Sequence, residues 1–302
     1  MGFQQPNGNL CTKIAYEGKI RYNIVLYKSY KPILDDTMPA PVYTKQPDIQ
    51  YKMTTGGKAL KINLFHPKEK AKATLLYAHG GGFIKGSRKD KTAQKLAKKL
   101  CEEGVVVASV DYRLKTDISA FSPEKQKYII AAQARTARVG MPVNPHFCGP
   151  RFYAALEDMS DAITYLRQKN GPLAGKTGPL LALGVSAGGI AALSLAFPPR
   201  DGWEDLAQPD AAIGLCAAMV QPWRLSKDGL PSLLFNGYKD RIISPLNTRF
   251  TARRATGTSA PLEVITTDTN GHNPQIDLFI NGNDPEGKPW LDRARRMMRL
   301  MD

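Results

Sequence analysis

Apolar positions along the chain fall into short blocks of two kinds. Ile49–Met53 and Leu60–Phe65 alternate apolar and polar residues, and Thr54-Thr55-Gly56-Gly57 lies between them. That pattern predicts a hairpin of two half-buried strands. Ala73–Ala78, Val105–Val110, the first half of Leu180–Leu195, Ala211–Ala217 and Ser232–Asn236 are continuous apolar runs that predict fully buried strands, and Leu262–Thr267 predicts a last strand. Helical spacing appears over Thr92–Glu103, ended by Gly104, and over Ser122–Arg138, where Ser122 can cap and Pro123 takes the first helical position. It continues over Arg151–Lys169, whose Phe152, Ala155, Leu156, Met159, Ile163 and Leu166 share one face. The small apolar residues after Gly188 predict a helix packed back on the sheet, and Leu291–Met301 predicts a short closing one. Strands alternating with helices imply right-handed crossovers, hence an α/β fold with a mostly parallel central sheet, helices on both faces and an antiparallel leading edge.

The 302-residue chain is expected to form one domain over residues 46–302, with residues 1–45 as a polar N-terminal segment that can cap it. Residues 115–149 interrupt the alternation and read as an insertion. The first residues lack a basic start followed by an apolar core, and Cys11, Cys101, Cys148 and Cys216 form no paired motif, so a cytoplasmic location is expected. Leu180–Phe197 is long and apolar, but the glycines and Ser186 within it argue for a buried strand and helix rather than a membrane span. The net charge of +15 favours acidic partners, yet Lys and Arg are spread along the chain without a nucleic-acid motif. It reads as a solvated basic surface that can steer an acidic substrate.

The chemistry gathers where parallel strands end, at their carboxyl edge. Gly184-Val185-Ser186-Ala187-Gly188 joins a predicted strand to a predicted helix, the context in which Gly-x-Ser-x-Gly exposes a nucleophile. A serine hydroxyl needs a neutral histidine to take its proton, and the histidine needs an acid to fix its tautomer. His272 follows the last strand and Asp240 follows Ser232–Asn236, giving the chain order Ser, Asp, His. The tetrahedral intermediate needs preorganised N–H donors. Ala187 can give one, and the run His79-Gly80-Gly81-Gly82 after Ala73–Ala78 can give others. Taken singly, Asp240 is as well read as a loop cap, His272 as a surface residue and His79 as a shaper of the glycine loop. Asp111, Asp158, Asp228 and Asp268 are rival acids. Only four histidines exist, none at ligand spacing, so no metal and no organic cofactor is called for.

His79–Phe83 (HGGGF), Asp111–Leu114 (DYRL), Phe152–Asp158 (FYAALED), Gly184–Gly189 (GVSAGG), Leu230–Asp240 (LPSLLFNGYKD) and Gly271-His272 together resemble the hormone-sensitive-lipase-like branch of α/β-hydrolase serine esterases, which includes bacterial acetyl esterases and carboxylesterases. The resemblance implies the α/β-hydrolase fold, a Ser186–His272–Asp240 triad and oxyanion-hole amides at Gly81, Gly82 and Ala187. It further implies hydrolysis of a carboxylic ester through an acyl-enzyme, with a short acyl group such as acetyl; the basic surface is what points to a sugar or small alcohol as the alcohol part. The chain departs from that branch in the long stretch between DYRL and FYAALED and in its short Ser-to-Asp gap. Two alternatives stay open: an amidase or formamidase on the same triad, and a binding protein on a hydrolase scaffold. The expected partner is a small-molecule or saccharide ester, with no specific nucleic acid, and a homodimer is left open.

Overall fold

The alternating apolar blocks become one eight-stranded sheet in the computed structural model, which describes residues 42–173, 178–200 and 202–301. The first strands are β1 (Tyr43–Met53), β2 (Ala59–Pro67) and β3 (Ala73–Ala78). Helix α1 (Lys91–Leu100) leads to β4 (Val105–Val110), then come α2 (Pro123–Arg138) and α3 (Pro150–Arg167). Strand β5 (Leu180–Val185), α4 (Ala187–Ala196), β6 (Ala211–Leu215) and β7 (Ser232–Gly237) follow. The chain closes with α5 (Pro245–Thr258), β8 (Leu262–Thr267), α6 (Pro274–Asn281) and α7 (Asp292–Met297). The spatial order is β1-β2-β4-β3-β5-β6-β7-β8. β1 with β2 and β2 with β4 pair antiparallel, and every later pairing is parallel.

The sheet is covered on both faces, as the continuous apolar runs require. One apolar cluster holds Phe152, Leu156, Met159 and Ile163 of α3, Ile190 and Leu193 of α4, and Ile129 of α2. The other holds Leu96 and Leu100 of α1, Phe279 of α6 and Ala294 of α7. Every residue of α4 is buried, so the apolar stretch Leu180–Phe197 is a core strand and core helix. Among the described residues no helix is long and apolar enough to cross a membrane.

Several boundaries differ from those the pattern predicts. β1 begins at Tyr43, inside the stretch assigned to the N-terminal segment; residues 1–41 lie outside the described residues. Helix α1 stops at Leu100, and Cys101–Glu103 tightens into a 3-10 turn before Gly104 at φ 87°. Helices α5 and α6 carry no apolar periodicity strong enough to predict them. The stretch 115–149 holds α2, with Ser122 accepting from Lys125 N and Pro123 in the first turn, and a 3-10 turn at Pro145–Phe147.

One buried ion cluster ties α3 to the leading strands. The Asp158 side chain is fully buried and accepts from Arg113 N at 2.7 Å, Arg113 Nε at 2.9 Å and Lys52 Nζ at 2.6 Å. A buried carboxylate is tolerated when its lone pairs are filled by fixed donors, and removing it takes the shared acceptor from Arg113 N, Arg113 Nε and Lys52 Nζ, leaving Arg113 with Glu157 and Lys52 with Asp161. Asp158→Ala is therefore expected to lower unfolding free energy by about 3–5 kcal/mol in urea denaturation. A loss below 1 kcal/mol would contradict this account.

Candidate active site

The turn from β5 to α4 is set by backbone contact. A Cβ placed on Gly188 would lie 2.3 Å from the Ala78 carbonyl oxygen and 2.6 Å from that of His79. Only glycine lets the start of α4 sit this close to the end of β3. Ser186 between these elements has φ 52° and ψ −117°, a region L-residues avoid at a cost of about 1–3 kcal/mol. It is held there from both sides. Its N–H donates to the Leu215 carbonyl at 2.8 Å, and its carbonyl accepts from Ile190 N at 2.9 Å. The side-chain hydroxyl has no hydrogen-bond partner among the described residues.

The glycine loop after β3 lies against this serine. A Cβ on Gly80 would stand 3.4 Å from Ser186 Cβ and 3.3 Å from the Val185 carbonyl oxygen. Gly81 and Gly82 follow with φ 113° and 64°, and neither amide donates to a backbone carbonyl among the described residues. The Ala187 amide opens α4, where first-turn N–H groups have no intrahelical acceptor. Among the described residues the Gly81 and Gly82 amides and the first-turn amide of Ala187 thus keep donor capacity that no backbone carbonyl uses.

His79 is a brace for this loop. Its Nδ1 donates to the Gly80 carbonyl at 2.7 Å, and its ring stacks on Tyr112 with centroids 4.3 Å apart. Tyr112 in turn donates its hydroxyl to the His79 carbonyl at 2.7 Å. Burial pushes the His79 imidazole below its ordinary range, partly opposed by the bond to Gly80.

Asp240 and His272 are joined: His272 Nδ1 donates to Asp240 Oδ2 at 2.7 Å. Asp240 Oδ1 accepts from the Ile242 and Ile243 amides at 2.8 and 3.0 Å. Gln275 Nε2 donates to the same Oδ2 at 3.0 Å and to the Gly271 carbonyl at 2.8 Å. Burial works against the Asp240 charge, but the His272 bond and the two amides override it and hold its pKa below the ordinary 3.8. The His272 loop is anchored to the neighbourhood of Ser186 through the end of β6. Cys216, directly after Leu215, donates its thiol to the His272 carbonyl at 2.9 Å, and burial keeps that thiol protonated.

Of the rival acids, Asp111 is engaged by Arg88, Asp158 by Arg113 and Lys52, and Asp268 is exposed. Two contributors escaped sequence reasoning. Gln275 and Cys216 belong to no motif, and only the fold brings them to Asp240 and His272. The described residues hold no group of three or more His, Cys, Asp or Glu able to hold a metal ion.

The apo form of esterase 2 from Thermogutta terrifontis superposes with a TM-score of 0.57 over 88% of this chain and 95% of that chain, at 16% sequence identity. Its butyrate-bound form gives 0.56 over 86% and 92%, at 17% identity. The chain has the α/β-hydrolase fold. Within that fold, residues 60–127 match the BD-FAE family model, which spans β2 to the first part of α2 and includes the glycine loop. Gut esterase 1 of Caenorhabditis elegans is 32% identical over 87 residues, covering 26% of this chain and 16% of that protein. The chain thus matches about a sixth of that curated relative's length. The α/β-hydrolase frame places Ser186 after β5, Asp240 after β7 and His272 after β8, all at the sheet's carboxyl edge.

Two outcomes follow from the site. Gly188→Ala drives a Cβ into two backbone carbonyls and is expected to abolish folding or cost about 3 kcal/mol or more, as overpacking at rigid sites does at its upper end. Gly80→Ala brings its Cβ to 3.3 Å from the Val185 carbonyl oxygen, which a shift of a few tenths of an ångström relieves, and is expected to fold. Equal urea midpoints for the two would refute the close-approach argument. Second, a carboxyl whose pKa is depressed by folding adds stability that is full above the unfolded value and fades as pH falls through the folded one. The stability gap between wild type and Asp240→Asn should therefore shrink as pH drops below about 4. A gap that is constant from pH 7 to pH 3 would contradict it.

Proposed function

We propose that this chain hydrolyses carboxylic esters through an acyl-enzyme on Ser186. The observation that carries the reading is the His272 Nδ1–Asp240 Oδ2 bond of 2.7 Å at the same sheet edge as a strained, unpartnered serine hydroxyl. With Nδ1 donating, Nε2 is the acceptor that takes the serine proton. Ser186 attacks the carbonyl, and the oxyanion is received by the Gly81, Gly82 and Ala187 amides. His272 returns its proton to the leaving alcohol. Water then deacylates the serine by the same route in reverse. Asp240 holds the imidazole and balances the imidazolium, and Gln275 holds Asp240.

Aromatic packing behind the oxyanion loop supports a short acyl group. Phe83 packs edge-on against Phe147 and Phe152, with centroids 6.4 and 6.2 Å away. A Cβ on Gly82 would lie 3.7 Å from the Phe147 ring. Phe147 comes from the 115–149 stretch, so that insertion supplies a wall beside the glycine loop. We read the alcohol part as a sugar or other small alcohol, in keeping with the basic surface and an ester-cleaving fold.

Turnover of p-nitrophenyl esters tests this reading. Acetate should be cleaved faster than octanoate. Ser186→Ala should lower kcat by about 10⁶-fold and Asp240→Asn by about 10⁴-fold. A fluorophosphonate probe should label Ser186 in the wild type alone. Undiminished turnover by Ser186→Ala would refute the mechanism, and an aryl formamide cleaved in preference to the acetate would move the chain to amide chemistry.

A further inference from the structure

A cleft of about 720 Å³ opens between α2 and the connection from β6 to β7, away from Ser186. Arg135 and Arg138 of α2, Arg200 after α4, and Trp223-Arg224 of the connection help to line it. Asp228 is the one carboxylate among its lining residues, against four arginines. None of the four arginines forms an ion pair among the described residues. Neither Ser186, Asp240, His272 nor the glycine loop lines this cleft. Helix α4 separates the two places: Ser186 precedes its first residue, and Ala196 and Phe197 at its other end reach the cleft, about 15 Å along the axis.

Arg224 is the unusual member. Its Nε, Nη1 and Nη2 are all sealed from solvent, and none has a hydrogen-bond partner. Its guanidinium carbon lies 6.0 Å from the Phe152 ring, and burial pushes its pKa below the ordinary arginine value. Nearby, Gln221 gives Nε2 to the Tyr153 hydroxyl at 2.7 Å and leaves its Oε1 buried and unpartnered. An arginine cannot shed its proton in a protein, so a dry, unpaired guanidinium is among the costliest groups a fold can keep. Its five-donor fork matches a carboxylate or phosphate two bonds at a time. Arg135 stands over Trp223 at 4.6 Å, which already holds a second guanidinium at the rim.

We propose that this cleft binds a small organic oxyanion, with Arg224 as the inner ligand and Arg135 and Arg138 at its mouth. Arg224 is part of the cleft wall, and a rotamer change delivers its fork to an anion there. The apolar walls from Phe197 and Trp223 suit a flat ring carrying the charged group. Its volume lies within the range of small-molecule pockets, about 300–1,000 Å³. The site is a second one, distinct from the ester-cleaving centre.

Titration calorimetry of the full chain at low salt, with benzoate and with inorganic phosphate, tests this. At least one probe should bind saturably and raise the thermal midpoint. Arg224→Met and the exposed double variant Arg135→Gln/Arg138→Gln should each weaken binding by about tenfold or more, the loss of one charge-assisted pair. Ser186→Ala should bind as tightly as wild type. Tighter benzoate identifies a ring carboxylate, and tighter phosphate identifies a phosphoryl group. Absence of saturable binding by either probe overturns the proposal, as does undiminished binding by the double variant. Loss of binding in Ser186→Ala would also overturn it, by placing the probe at the catalytic serine. The readout uses no turnover, so it stands or falls independently of the ester-hydrolase reading.

Discussion

The structure turns on the contact between two stretches of bare backbone, the start of α4 at Gly188 and the end of β3 at Ala78 and His79. Once they touch, two things are fixed together. The serine before Gly188 is forced to a positive φ, and the glycine loop after His79 is brought beside it. Ser186 and the glycine loop are thereby held in one frame instead of on two loops that must find each other. The strain at Ser186 persists because it is surrounded by structure that does not give. Every α4 residue is buried, and β5 pairs on both edges, with β3 and with β6. The strain of about 1–3 kcal/mol is small against that burial.

Asp240 and His272 arrive from the other half of the sheet, after β7 and β8. A capping role and a catalytic role for Asp240 look like rival readings in the sequence. In the fold they do not compete, because one carboxylate makes both sets of bonds. Oδ1 caps the Ile242 and Ile243 amides, which fixes the carboxylate plane, and Oδ2 is left to His272 and Gln275. The cap is what orients the acid. Cys216 adds a tether from β6 to the His272 backbone, so the imidazole loop is referenced to the strand whose end also holds Ser186 N.

What could be read from the chain tracks where burial writes a pattern. The five continuous apolar runs are all strands, because a strand covered on both faces must be apolar at every position. The glycine-rich turns were readable because backbone contact leaves no alternative residue. Helix α5 was not, since the residues it buries are Asn247, Thr248, Thr251 and Ala255, which give no hydrophobic stripe. β1 extends to Tyr43 through mostly exposed residues at a sheet edge, and register shifts between Gln46 and Ile49 break its alternation. Gln275 sits in the first turn of α6, and nothing local marks a glutamine that will bond to an aspartate 35 residues earlier.

Charge is where the sequence says least and the fold adds most. A net +15 is a sum, and a sum has no location. In the fold, many cations are spent on structure: Arg88 on Asp48 and Asp111, Arg113 on Asp158 and Glu157, Arg295 on Glu103 and Asp292. Those pairs fix strands and helices to one another and leave little field outside. The cleft arginines differ because nothing in the described chain answers them. At the rim that costs little, since water solvates Arg135 and Arg138. At Arg224 it costs a great deal, because its nitrogens face neither water nor an acceptor. Replacing such a group by an apolar side chain would stabilise the fold if stability were all that mattered. A basic excess confined to the surface would need no such residue, so the buried guanidinium is what separates a general field from a site.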